Sequence, residues 1–178
     1  IPDSVASRGL GDVYKRQDYY YTLARASSTY SSTTRICKWD RDDGTMVGSC
    51  STAGRYGTAL AIYEGADELF LLQTSSSSSY RKIVGFSTSN LATNGKSISY
   101  GSGVSSWYYS QDIDVDESTG DVYIVYREYQ GRLRAYERGT DGSYCASSSC
   151  YTQVYTGARY STSVDAVSYT HLRAHETL

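Results

Sequence analysis

Guanidinium and aromatic side chains recur together along this chain. Arg55-Tyr56, Trp107-Tyr108-Tyr109 and Arg159-Tyr160 are the main groups, and Tyr30, Tyr80 and Tyr129 stand in other turn-rich stretches. Rings with a polar tip and flat guanidinium groups suit sugars, peptides or anions, since they combine a stacking face with directed donors. A residue that only packs between repeats would recur in the same way, so both readings stay open at this stage.

Carboxylates form the second group. Asp112, Asp114 and Asp116 alternate with Ile113 and Val115, which places three acids on one face of an extended segment. Alternate acids with Asp121 nearby are oxygen ligands of the kind calcium takes. The calcium-loop pattern wants a glycine earlier than Gly120, so solvated or turn-capping carboxylates are the competing reading. Calcium is the one cofactor expectation, and otherwise none is implied. Asp40, Asp42 and Asp43 precede Gly44 and read as turn chemistry. Both histidines, His171 and His175, fall in a C-terminal stretch set aside below, so Ser-His-Asp, Cys-His and histidine–metal machinery has no basis between residues 18 and 166. No catalytic residue is assigned. A carboxylate glycosidase or tyrosine-nucleophile chemistry stays possible on such a chain.

The four cysteines fall in two local pairs. If Asp43-Gly44 is a two-residue hairpin, paired residue numbers sum to 87, and Cys37 faces Cys50 at a non-hydrogen-bonded position. A separation of roughly 4.5 Å between Cα atoms there suits a disulfide. Cys145 and Cys150 close a short loop at the equivalent place later in the chain. Two local disulfides imply an oxidising compartment, hence a secreted or extracellular protein. Metal-bound or free buried thiols are the alternatives, and a metal site lacks the histidines or further cysteines it would need.

The elements that must position these residues are strands. Asp121-Val122-Tyr123-Ile124-Val125-Tyr126 and Glu68-Leu69-Phe70-Leu71-Leu72 are β-rich runs between turn residues, and Arg132-Leu133-Arg134-Ala135-Tyr136 alternates. Sustained 3.6-residue periodicity is absent, and the serine run 75–79 reads as a loop. Arg55-Tyr56-x-Thr58 matches Arg159-Tyr160-x-Thr162 at an offset of 104, and Tyr108 lies 52 residues after Tyr56. Segment 61–72 aligns with 114–125 at 53, and 82–86 aligns with 132–136 at 50 and with 35–39 at 47. Three imperfect copies of a four-strand unit follow. Strand A is 57–63, 110–116 and 162–166; strand B is 19–25, 68–74 and 121–128. Strand C is 34–39, 80–87 and 132–138; strand D is 45–50, 96–101 and 151–157. A period near 50 with four short antiparallel strands predicts an all-β fold, an incomplete β-propeller of about three four-stranded blades. Its D–A and B–C loops would share one face, where the Arg, Tyr and Trp residues above would meet a ligand.

The stretch Val115-Asp116-Glu117-Ser118-Thr119-Gly120-Asp121-Val122-Tyr123-Ile124-Val125 resembles the strand A–B motif of NHL-type propellers. The resemblance implies a glycine-containing turn between the innermost strand and the second. It covers about a dozen residues, and 61–72 keeps its apolar pattern with Gly65 displaced.

The two ends are set aside. Residues 7–17 back-translate to DNA whose reverse complement, read two bases in, encodes 167–176, and that DNA resembles a sequencing-library adapter. Residues 1–17 and 167–178 are therefore expected to be artefact rather than native protein. Between them lie 13 Lys+Arg and 16 Asp+Glu, a formal charge of −3. That balance gives no case for nucleic acid, and no apolar run is long enough for membrane insertion. The expected partners are a glycan or protein ligand and missing blades of the same chain. Three functions fit: an extracellular binding module, a propeller-type polysaccharide hydrolase or lyase, or a structural surface repeat.

Overall fold

The computed structural model describes residues 14–15, 18–25, 33–74, 81–100, 112–127, 131–144 and 150–155. They form an incomplete β-propeller of three four-stranded antiparallel sheets, each a simple up-and-down meander. Blade 1 contains β1 (Tyr14–Lys15), β2 (Tyr19–Arg25), β3 (Thr33–Asp40) and β4 (Ser51–Arg55). Blade 2 contains β5 (Gly57–Tyr63), a 3-10 turn at Glu64–Ala66, β6 (Glu68–Gln73), β7 (Lys82–Ser87) and β8 (Thr93–Ser99). Blade 3 contains β9 (Asp112–Val115), β10 (Val122–Arg127), β11 (Gly131–Tyr136) and β12 (Thr152–Tyr155). The expected strand A at 162–166 lies outside the described residues. The two-residue β1 comes from the N-terminal stretch set aside above and pairs with Tyr20 and Tyr21, taking the innermost place of blade 1.

The core lies between the blades, because a single sheet this small cannot bury both faces alone. One seam joins Tyr21, Ile36 and Ala53 of blade 1 to Leu60, Ile62, Leu69, Leu71 and Phe86 of blade 2. The other joins Ala59, Ala61, Phe70, Leu72 and Ile83 of blade 2 to Ile113, Val115, Val122, Ile124 and Tyr136 of blade 3. Successive residues of β5 and β6 thus serve opposite seams. Every residue of β6 is buried, which is why Leu69-Phe70-Leu71-Leu72 is continuously apolar where an outer strand would alternate.

The repeat register is visible in the backbone. Gly120 has φ 80, and Asp67, 53 positions earlier, has φ 57. The displaced Gly65 is therefore no defect: the left-handed place in the blade 2 turn is filled by an aspartate, a residue type that tolerates it.

Two D strands differ from expectation, the second, Thr93–Ser99, beginning three residues before the expected 96–101. The first strand D is Ser51–Arg55, not 45–50. The hairpin closes with Asp40 N–H donating to Thr45 O at 2.8 Å and Gly44 N–H to Asp40 O at 3.1 Å, so 41–44 form a four-residue loop. The Asp40 carboxylate takes the Asp42 N–H, and the Asp43 carboxylate takes both the N–H and the hydroxyl of Thr45. These side-chain turns compete with the two-residue hairpin and displace it. Pairs near the loop sum to 85: Trp39 bridges Met46, and Val47 N–H donates to Lys38 O at 2.8 Å. Gly48, at φ 73, and Ser49 are then passed over, and Arg35·Thr52 and Ile36·Ser51 sum to 87. The Cys37–Cys50 disulfide forms on this second register, with Cα atoms 4.2 Å apart.

Candidate functional site

The β4–β5 connection is the described part of the expected ligand face. A single residue, Tyr56, joins the last strand of blade 1 to the first of blade 2, and it sits in the left-handed region at φ 63. Its surroundings fix it there. Tyr56 O accepts the Thr74 N–H at 2.9 Å, and Gly57 N–H donates to Thr34 Oγ1 at 3.0 Å. Arg25 donates to Gly57 O at 3.3 Å. Gln73 Nε2 donates to Ala53 O at 3.0 Å and Arg55 O at 3.1 Å. Backbone groups are thereby held from β2, β3 and β6, while the Arg55 side chain is exposed and Tyr56 is half-buried. A Cβ on Gly57 would come within 2.6 Å of Thr34 Cγ2, so this closure requires glycine.

Polar residues run from this connection to blade 3. Tyr100 Oη donates to Gln73 O at 2.5 Å, and Arg134 donates to Tyr100 O at 2.5 Å. Arg134 Nε donates to Gln153 Oε1 at 3.0 Å, and its guanidinium stacks on Tyr151 at 3.9 Å from the ring centroid. Gln73, Tyr100 and Arg134 are all nearly fully buried. None was singled out from sequence. Gln73 merely ends an apolar run, and Arg134 sits in an alternating segment whose charges read as surface. Their partners lie 27 and 34 residues away, beyond any local pattern.

Trp107, Tyr108, Tyr109, Tyr80, Tyr129, Tyr30, Arg159 and Tyr160 lie outside the described residues, so Arg55 and Tyr56 alone represent this face. Cys150 is disulfide-bonded, and its expected partner Cys145 is also outside the described residues.

At the opposite end the acids serve turns. Asp116 Oδ1 accepts the N–H of Ser118 at 2.8 Å and its hydroxyl at 2.5 Å, and Asp141 does the same with Ser143 at 2.9 and 2.6 Å. The hydroxyl bonds hold both carboxyls, and that of Asp43 beside Thr45, below the usual carboxylate range. Asp112 and Asp114 each accept the backbone N–H of the following residue, at 3.0 and 2.9 Å. Glu117 is raised, first by desolvation and then by Glu64, Asp114 and Asp116. Among the described residues no group of three or more His, Cys, Asp or Glu side chains is arranged to hold a metal.

A cleft of about 560 Å³ opens beside the β11–β12 hairpin, lined by Glu137, Arg138, Ser143, Tyr144 and Tyr151 among others. Arg138 of this lining lies 3.8 Å from buried Glu68, which pairs with Lys96. Tyr144 Oη donates to Gly120 O at 2.6 Å, and burial, followed by Glu68, pushes its phenol well above the ordinary range. Glu68 and Lys96 both belong to blade 2, and the Arg138 contact ties the pair to blade 3, which is a structural role. Among the described residues no helix is long and apolar enough to cross a membrane.

No protein-family model and no curated protein sequence matches this chain. Among solved structures it is similar to a gluconolactonase from Xanthomonas campestris, with a TM-score of 0.49 and 12% identity over 89% of this chain. The match covers 52% of that protein, so the chain spans about half its length.

Proposed function

We propose that this chain is part of an extracellular binding module whose ligand face is the loop end carrying Arg55 and Tyr56. The observation behind the reading is Tyr56 itself. A tyrosine at φ 63 is held there by bonds from neighbouring strands. A left-handed conformation costs a non-glycine residue about 1–2 kcal/mol, and such strain tends to persist where a side chain must be aimed. The exposed Arg55 beside it adds a planar donor. A ring and a guanidinium at one seam suit a glycan or a polar protein loop. The Cys37–Cys50 bridge supports an oxidising, extracellular setting.

The test compares wild type with Arg55→Ala and Tyr56→Gly on a glycan array and against the glycoproteins bearing any glycan that scores. Glycine relieves the backbone while deleting the ring. The expected result is at least tenfold weaker binding with little change in thermal midpoint. Variants that lose stability but bind normally when folded would make the pair a packing device and remove the proposal. So would a wild-type chain that binds nothing.

A further inference from the structure

We propose that the Cys37–Cys50 disulfide selects between two registers of β4, and thereby sets the length of the β4–β5 connection that carries Tyr56. The hairpin loop dictates one register and the bridge enforces another. Asp40·Thr45, Trp39·Met46 and Lys38·Val47 pair with residue numbers summing to 85. Beyond the bridge, Ile36·Ser51 and Arg35·Thr52 sum to 87. The difference is the two-residue excess at Gly48-Ser49. Residues 45–49 are all exposed, so no core packing holds the excess there.

A slip of two residues is the one such a strand tolerates, because the side-chain period is two and an even step keeps every face. If the 85 register continued along β4, Ser51 would replace Ala53 at the seam with blade 2. The carbonyls of Ser51 and Ala53 would then stand where Gln73 Nε2 now meets those of Ala53 and Arg55. The excess would move to the far end of the strand, lengthening the connection to β5 from one residue to three. Tyr56 would leave φ 63, and the bulge now at Gly54, φ 84, would move along the strand by the same two residues. β4 is an edge strand paired with β3 alone, so no second neighbour resists the shift. The bridge forbids it, because Cys50 would have to move from opposite Cys37 to opposite Arg35.

The register claim needs no ligand; only its consequence for the binding face rests on the function proposed above. The first experiment uses the wild-type chain. A dithiol reductant cleaves the S–S bond by exchange, leaving two cysteine thiols and the oxidised dithiol. Hydrogen exchange then reads the strand: slippage gives Ser49 new protection opposite Ile36 and strips it from Arg55, now paired with Thr33. The second experiment uses two variants in a glutathione redox mixture, with bridges mapped by peptide mass. Arg35→Cys with Cys37→Ala traps the slipped register as a bridge from position 35 to Cys50. Arg35→Cys and Thr52→Cys with Cys37→Ala and Cys50→Ser trap the present one. The expected result is that both bridges form, within about tenfold of each other. Formation of the second bridge alone, or uniform loss of protection along β4 on reduction, overturns the proposal and leaves the disulfide a simple staple.

Discussion

Leu71 and Phe70 are neighbours on β6, both almost fully buried, and they pack into different seams. Truncating each to alanine should therefore loosen different blades. Leu71 faces blade 1, and a Cβ on Gly57 would lie 3.0 Å from its Cδ1, so the site is already tight. Phe70 faces blade 3 and meets Tyr144 edge-on, with centroids 5.6 Å apart and planes at 85°. β6 is bonded on both sides, to β5 and β7, and has little freedom to collapse into a cavity. Leu71→Ala is expected to cost about 3 kcal/mol, and Phe70→Ala about 4 kcal/mol with the aromatic contact included. With a urea slope of about 2 kcal/mol/M, the midpoints fall by about 1.5 and 2 M. Native-state hydrogen exchange supplies the decisive reading. Leu71→Ala should speed exchange in β2 and β3 by about 100-fold while sparing β10 and β11; Phe70→Ala should do the reverse. Equal acceleration of blades 1 and 3 in both variants would refute seam-by-seam packing and the alternation that assigns residues to seams.

Further predictions concern turns and titration. Gly44→Ala, at φ 68 with open space around it, should cost about 1 kcal/mol. Gly120→Ala, at φ 80 with a Cβ 2.5 Å from Arg138 Cδ, should cost at least twice that, read from urea midpoints. Tyr144→Phe leaves Gly120 O without its donor and should cost about 1–3 kcal/mol. Because burial raises the Tyr144 phenol in the folded chain, its contribution is intact below the unfolded value near ~10 and is lost as pH rises through the folded one; phenolate absorbance should show this group titrating with alkaline unfolding. Asp43, Asp116 and Asp141 are depressed in the folded chain, so their contribution is present above about pH 3.9 and is lost as pH falls through the folded values. Carboxyl-carbon titration by NMR should find all three low, and Ser118→Ala should return Asp116 upward.

Strand positions were legible because propensity and turn residues agree. Strand A at Gly57–Tyr63 and strand B at Tyr19–Arg25 match their expected bounds. The first strand D was not legible, since the carboxylates of Asp40 and Asp43 offer the backbone side-chain turns in place of the glycine hairpin. The disulfide was reached through the wrong turn. The loop is two residues longer than a two-residue hairpin, and Gly48-Ser49 restores the sum that the hairpin implied. The polar relay through Gln73, Tyr100 and Arg134 was invisible for a different reason. One bond links the ends of β6 and β8 within blade 2 and the next crosses from blade 2 to blade 3, pairings that only the folded and stacked sheets bring together.

The acidic ladder shows how one pattern supports two readings that geometry then separates. Ala59 and Ala61 of blade 2 pack toward blade 3, and 53 positions later the same places hold Asp112 and Asp114, half-buried on the other face of blade 3. Alternation with Ile113 and Val115 identified β9 as a strand, and the strand keeps its carboxylates apart. At about 3.3 Å per residue, positions two apart stand about 6.6 Å from each other and positions four apart about 13 Å. Calcium needs its oxygens within about 2.3–2.6 Å of one point, so an extended Asp112-x-Asp114-x-Asp116 segment does not converge on a single ion. The observed bonds agree: the first two acids turn to their neighbouring amides, and Asp116, just past the strand, closes on Ser118. A cation at this edge would therefore need most of its ligands from elsewhere in the protein.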